Sequence, residues 1–533
     1  MKKRTSYNAV RLAFAGATLL ATLGVSKTLA QDIFTTGDLL VSSSTYSDTG
    51  PVASLQVGDT LPGGGTAVSD GTFGPQGVFT NSTPDASFGV TSPIAISQIT
   101  TSGAAADLNN GSGSNVLNID PSLYGVTSFP SKSELALNLS TDGTSITFMD
   151  YATTVGQLDV SNSNTPGIIE PGNPVTTTPT YRQVVQLNAN GSISTTTTNA
   201  YSGNNGRAAI LNSATGQYLT VGNAGNGNGS AAITAGTGVQ IVTAGHNATS
   251  ATPGTTMAGS FNITQVGYAA DKSAKDNNYH GETVFNNTLY VTKGSGSNGI
   301  NTVYQVGPTG SLPTGTGNTI SILPGFSTTL AKSTSTAANP VYHPFGLFFA
   351  NSTTLYVGDE GNLSATGLAS NYGAGLQKWS LVGSTWQLDY TLTLGLNIGQ
   401  YYTVDGPNGA TYSAATDGLR NITGQVNADG TVSIYAVTST IDTNGPPNQT
   451  NTNDEGADPN QLVAINDTLG DTTASQASGE SFTTLESAGY GQVLRGVSFT
   501  PEAAPEPSTT SMLILTLLGG AAFAWKRRNS LRS

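Results

Sequence analysis

With 533 residues, 66 glycines, no cysteine and a formal net charge of −13, the chain excludes disulfide staples, thiolate metal centres and thiol catalysis. Residues 31–504 hold 10 basic and 31 acidic side chains, a net of −21, which disfavours nucleic acid and anionic membrane surfaces as partners. A body of this size builds a large apolar core without disulfides.

Lys2, Lys3, Arg4 and Arg11 precede an apolar run from Leu12 to Leu23, and Thr28-Leu29-Ala30 supplies small residues before Gln31. That layout predicts a secretory signal peptide over residues 1–30, handled by the Sec machinery. The sequence then turns rich in Gly, Ser, Thr and Asn, with short bursts of Val, Ile, Tyr and Phe. This is sheet composition broken by turns.

In chain order, Asp38–Ser42 reads as an inner strand lacking its predecessor, and Pro93–Ile99 as an outer strand of the same unit. A recurrent unit follows: a strand, an Asn/Asp/Gly turn, a second strand, then further strands. It occurs at 134–160 (turn Ser140–Gly143, with Val155–Val160 as third strand), 207–221, 280–306 (turn Asn286–Thr288), 343–357 and 418–437. Leu376–Leu381 and Asn460–Ile465 read as third strands, and Trp386–Tyr390 as a fourth. Val493–Phe499 reads as a first strand whose sheet must be completed from the N-terminus. Four-stranded units at intervals of roughly 60–75 residues predict an all-β fold, a β-propeller over 31–504. Six blades are expected, one of them composite and closing the ring; seven is the alternative, because 45–100 and 222–270 are ambiguous. A β-sandwich array is the competing architecture. The body is similar in a general way to secreted bacterial propellers of the YVTN or NHL type.

Three histidines exist: His246, His280 and His343. The last two precede first strands of adjacent units, so a propeller brings both toward one channel mouth. With Glu282 and Asp359 they are candidates for a small metal or acid–base site, against a local turn-shaping role. Arg207, Arg420 and Arg495 also fall on or beside first strands, as candidates for binding an anion or sugar or for pairing with carboxylates such as Glu134. Asp442, Asn444, Asn453, Asp454 and Asp458 lie in an oxygen-rich loop that suits a weak calcium site, or a solvated acidic hairpin. Calcium apart, no cofactor is expected. There is no phosphate-cradling Gly-Lys-Ser/Thr loop, no His-Glu-x-x-His helix and no Gly-x-Ser-x-Gly elbow.

The chain ends with Pro505-Glu506-Pro507-Ser508, an apolar run over 511–525, and the basic residues Lys526, Arg527 and Arg528. The run predicts a short transmembrane helix held by a cationic stop. This ending (505–533) resembles the PEP-CTERM sorting signals of bacteria. The resemblance implies processing by an exosortase-type membrane enzyme and residence at the cell surface or in the extracellular polysaccharide matrix. An ordinary tail anchor is the alternative. The expected function is non-catalytic: surface or matrix binding of glycan or protein. The alternative is a propeller enzyme of lactonase or lyase type with a channel metal.

Overall fold

The computed structural model describes residues 32–47, 49–67, 89–129, 131, 134–225, 230–362, 371–406, 409, 411–441 and 456–503. The predicted signal peptide (1–30) and the sorting segment with Pro505, Glu506, Pro507, Ser508, Lys526, Arg527 and Arg528 lie outside these residues. Among the described residues no helix is long and apolar enough to cross a membrane.

The fold is all-β, with a propeller-like arrangement of sheets. The first sheet is composite and ordered Gln492–Phe499, Leu39–Thr45, Ile94–Ile99, Val116–Ile119. The second runs Asn138–Leu139, Ser145–Tyr151, Arg182–Asn188, Ile193–Thr198. The third comprises Gly206–Asn212, Gln217–Gly222, Gly238–Thr243 and Thr256–Ser260; the fourth, Glu282–Phe285, Thr288–Lys293, Thr302–Val306 and Asn318–Ile322. Outer strands of these two sheets touch through a short parallel pairing of Gly259 with Asn318 and Ser260 with Thr319. The fifth sheet is Pro344–Asn351, Thr354–Asp359, Gly375–Val382 and Thr385–Leu392. The sixth is Thr411–Val426, Thr431–Thr440, Gln461–Thr468 and Thr483–Ser487, with Tyr401–Asp405 added beside the start of its long first strand.

The two ends of the body meet as the sequence suggests: Leu39 pairs with Phe499 and Val41 with Val497, antiparallel. First strands of successive sheets touch in an unbroken cycle, from Asn138–Leu139 through the third, fourth, fifth and sixth sheets to Gln492–Phe499 and back. Glycine makes that approach possible. A Cβ on Gly346 would lie 2.5 Å from the Arg420 carbonyl oxygen and 2.8 Å from the Ile422 nitrogen. One on Gly496 would run into the Leu135 carbonyl and lie 2.6 Å from the Leu137 nitrogen.

Strand periodicity distributes the core between the sheets. Leu39 and Val41 pack with Val437 and Leu462 of the sixth sheet, whereas Leu40 packs with Ile146 and Phe148 of the second. Successive side chains thus serve opposite faces, as a pleated strand requires. Equivalent clusters fill the other interfaces: Met149 with Ala209 and Tyr218, Val239 with Val291, Tyr290 with Leu355, and Leu376 with Ile434. Each buried Leu, Ile, Val or Phe contributes about 1.5–3 kcal/mol. The fifth and sixth sheets are also joined by a buried polar clamp. Asp467 accepts from Lys378 at 2.7 Å, from the Tyr390 hydroxyl at 2.6 Å and from the Tyr356 hydroxyl.

Turn chemistry follows the residues. Asn286 and Asn287 adopt φ of 46° and 56°, which suits a tight hairpin with both central residues left-handed. One element differs from expectation. Val155–Val160 is not a strand but a loop that ends in a short 3-10 helix, Val160–Asn162, and the third strand of its sheet is Arg182–Asn188. Asp159 takes φ 54°, which breaks an extended run, and Leu158 bridges to Val90, far away in sequence.

Candidate functional site in the central channel

The inner strands leave one edge without a sheet partner, and these edges face the ring axis. There they enclose a cavity of about 420 Å³ that is lined by all six inner segments. Its polar lining is mostly amide and hydroxyl chemistry, Asn138, Ser140, Thr283, Asn286, Asn421 and Thr423, with the carboxyl group of Glu282, beside Phe345 and Phe348. Asn138 donates to the Ala209 carbonyl at 3.3 Å, and Asn421 Oδ1 accepts from the Val497 amide at 2.6 Å. The same amides therefore hold neighbouring inner strands together.

His280 and His343 do come near each other, but through a turn. The His280 Nε2 lies 2.8 Å from the Ser295 hydroxyl, and its ring meets Phe345 edge-on at 5.2 Å. His343 Nδ1 lies 2.9 Å from the adjacent Gly294 carbonyl. Asp359 accepts from the His343 backbone amide at 2.8 Å and from Gln377 at 3.0 Å. Both imidazoles thus shape the Gly294–Ser295 turn. Among the described residues no three His, Asp or Glu side chains group to hold a metal, so His280, His343, Glu282 and Asp359 do not assemble the metal site considered from sequence. His246 sits on an exposed turn.

The arginines are interior. Of the ten cations in the body, Arg182, Arg207, Lys293, Lys378, Arg420 and Arg495 are all buried, which leaves the outer surface dominated by carboxylates. Arg207 donates to Asn278 Oδ1 at 2.6 Å and to the Tyr279 carbonyl at 2.7 Å. Arg420 pairs with Glu360 at 3.1 Å, and Arg495 donates to the Gly456 carbonyl at 2.8 Å and to that of Phe129. Glu134 is not a direct partner of these three. It accepts from Thr127 at 2.8 Å, from Asn205 at 3.0 Å and from the Tyr151 hydroxyl, and burial raises its pKa despite them.

Glu282 lies at the inner end of the cavity wall, 5% exposed, and neither carboxylate oxygen has a hydrogen-bond partner. Burial pushes its carboxyl well above the usual range. The folded state therefore holds this proton more tightly than the unfolded chain. Stability from the protonated form is full below the ordinary value of 4.5 and is lost as pH rises through the folded value. Glu282→Gln preserves the protonated shape and removes the titration. Its melting temperature relative to wild type is expected to climb from about pH 4 to about pH 8. A difference that stays flat with pH contradicts this account.

Of the acidic loop considered for calcium, Asp442, Asn444, Asn453 and Asp454 lie outside the described residues, and Asp458 is buried. A second cavity, of about 690 Å³, lies on the ring's flank near the parallel pairing, with Ile168, Pro253 and Met257 in its wall. Sequence reasoning missed the amide lining of the channel. The available signal was the Asn and Thr at alternate positions of the first strands, such as Asn421 and Thr423.

No family model matches the chain, and no curated protein matches it. Among solved structures, the N-terminal domain of Nup159 is similar over 87% of this chain and 97% of that chain, at 8% identity and a TM-score of 0.27. A quinoprotein alcohol dehydrogenase-like protein from Bacteroides thetaiotaomicron is similar over 77% of this chain and 85% of that one, at 10% identity and a TM-score of 0.25. Similarity this low bears on neither ligand nor reaction, and the propeller-like architecture rests on strand pairing alone.

Proposed function

We propose that this is an exported bacterial cell-surface or matrix protein whose closed six-bladed propeller binds a glycan, without catalysis, in its central channel. Export by Sec and sorting by an exosortase-type enzyme are inferred from residues 1–30 and 505–533, with transient anchoring in the membrane through 511–525. The observation that carries the binding role is the mostly amide and hydroxyl lining of the 420 Å³ cavity, with Glu282 as its one carboxyl group among the described residues, beside Phe345 and Phe348. Sugar hydroxyls both donate and accept, which suits Asn, Ser and Thr, and the apolar faces of a pyranose suit aromatic rings. The strongly acidic surface fits a protein kept soluble outside the cell and away from nucleic acid.

The test is a glycan-binding screen on the secreted protein, run with and without calcium. Neutral oligosaccharides are expected to bind. Thr283→Val and Thr423→Val, which keep shape and remove one hydroxyl each, should each weaken binding by roughly tenfold. Binding unchanged in both variants moves the ligand out of the channel, and no binding to any glycan refutes the reading.

A further inference from the structure

The polar clamp between the fifth and sixth sheets brings an amine, a carboxylate and a second carboxyl group to one point. Lys378 sits on the third strand of the fifth sheet and Asp467 on the third strand of the sixth, 89 positions apart. Their side chains are 1% and 0% exposed. The Lys378 Nζ lies 2.7 Å from Asp467 Oδ2, 2.7 Å from the Thr468 carbonyl and 3.0 Å from the Tyr390 hydroxyl. Tyr356 and Tyr390 donate to the same carboxylate, and both rings flank the amine, with centres 5.7 and 5.3 Å away. The nitrogen is thereby held about 3–4 Å from Asp467 Cγ, close to the separation of a near-attack pair. Asp389 and Asp471 are also near this cluster, but among the described residues only Asp467 lies at ion-pair distance from Lys378.

Glu480 completes the group. It shares a hydrogen bond with Asp467 and accepts from the Thr468 amide at 2.9 Å. Two carboxyls in contact do not both ionise readily, so a proton is held between them. Burial, together with the bond to Asp467, raises Glu480 to about 7. An ammonium and a carboxylate buried together are costly to desolvate, which favours passing a proton from the amine to the acid pair. The result is a neutral amine facing a carboxylic acid in a dry site.

We infer that Lys378 and Asp467 condense into an isopeptide bond that ties the fifth sheet to the sixth, with Glu480 carrying the proton between them. The lone pair of the amine forms the Nζ–Cγ bond, and a Cγ–Oδ bond of Asp467 breaks. Two of the three ammonium protons leave with that oxygen as water, and the third stays on the amide nitrogen. Glu480 ends with the proton it began with, and nothing is oxidised or reduced. Condensation prevails over hydrolysis because prepositioned groups reach effective molarities of about 10⁵ M or more, in a site that excludes water. The chain has no cysteine, so the bond supplies a covalent staple that disulfides do not. This inference does not depend on the glycan reading, since none of the three residues lines the channel cavity.

The test is intact mass and tryptic peptide mapping of the secreted protein, folded near neutral pH and then denatured. The wild type is expected to be one water lighter than its sequence, with a branched peptide joining Lys378 to Asp467 and no cleavage after Lys378. Lys378→Arg, which keeps the charge, should show the full mass. Glu480→Gln should slow bond formation roughly a hundredfold or more, so that linear chain accumulates in folded protein. If either variant fails to fold, the wild-type spectrum still decides. A wild type that stays linear after prolonged incubation in the folded state overturns the inference. A missing water without the branched peptide, or a branch at Asp389 or Asp471, overturns it as well. Bond formation in Glu480→Gln at the wild-type rate refutes the part assigned to Glu480.

Discussion

Arg182→Met should cost roughly 3–5 kcal/mol, among the largest losses available to a single substitution in this chain. Arg182 is fully buried, and its guanidinium donates to the carbonyls of Thr180 and Ser161 at 2.8 Å, Ser163 at 2.8 Å and Asn204 at 3.0 Å. It also lies 5.3 Å from the centre of the Tyr151 ring. Methionine fills part of the volume but leaves those carbonyls unsatisfied in a dry interior. Lysine has the charge without the planar fork, so Arg182→Lys is expected to recover only part of the loss. Urea denaturation followed by tryptophan fluorescence and circular dichroism measures both. A loss within about 1 kcal/mol for Arg182→Met would show that the carbonyls find other donors.

Gly496→Val should be comparably severe, at roughly 3 kcal/mol or more, for a different reason. Its Cβ would meet backbone of the 135–137 segment, not the tip of a flexible side chain, so neither inner strand has room to yield. The substitution strikes where the composite sheet meets the second sheet, and it should loosen both chain ends together. Gly470 is the matched control: a Cβ there meets nothing within 4 Å, so Gly470→Val should fall within about 0.5 kcal/mol of wild type. Limited proteolysis of Gly496→Val should cleave near both ends of the body. Cleavage confined to the C-terminal strand would mean that the two ends are not coupled.

Much of this architecture was legible because the residues that build it act locally. Asp142-Gly143 and Asn286-Asn287 prefer the left-handed turn, and alternation in Val493–Phe499 and Asp38–Ser42 marks half-sheets that need each other. What was hidden depends on contacts distant in sequence. Val155–Val160 alternates as a strand does, yet the long loop it belongs to is held by Arg182, which lies beyond the reach of a local pattern. Arg182 nevertheless left a trace, as one of only ten cations in the body and set in the apolar run Arg182-Gln-Val-Val-Gln-Leu187. The histidines show the converse. Their placement before adjacent first strands was readable, but whether imidazoles face an ion or a turn is decided by Gly294 and Ser295, which the spacing of histidines does not reveal.

Closure of the ring by its own two ends is the central claim, and the absence of cysteine makes it directly measurable. Val41 and Val497 are opposite in register, and the Val497 amide donates to Asn421, away from the Leu39–Thr45 strand. That places them at a position without mutual hydrogen bonds, where Cα atoms stand about 4.5 Å apart, inside the range a disulfide spans. In the double variant Val41→Cys/Val497→Cys, mild oxidation followed by intact mass and peptide mapping should show a single intramolecular disulfide joining the two substituted positions in folded, monomeric protein. Thiols that stay free under the same oxidation, or that link only between molecules, would contradict the closed ring.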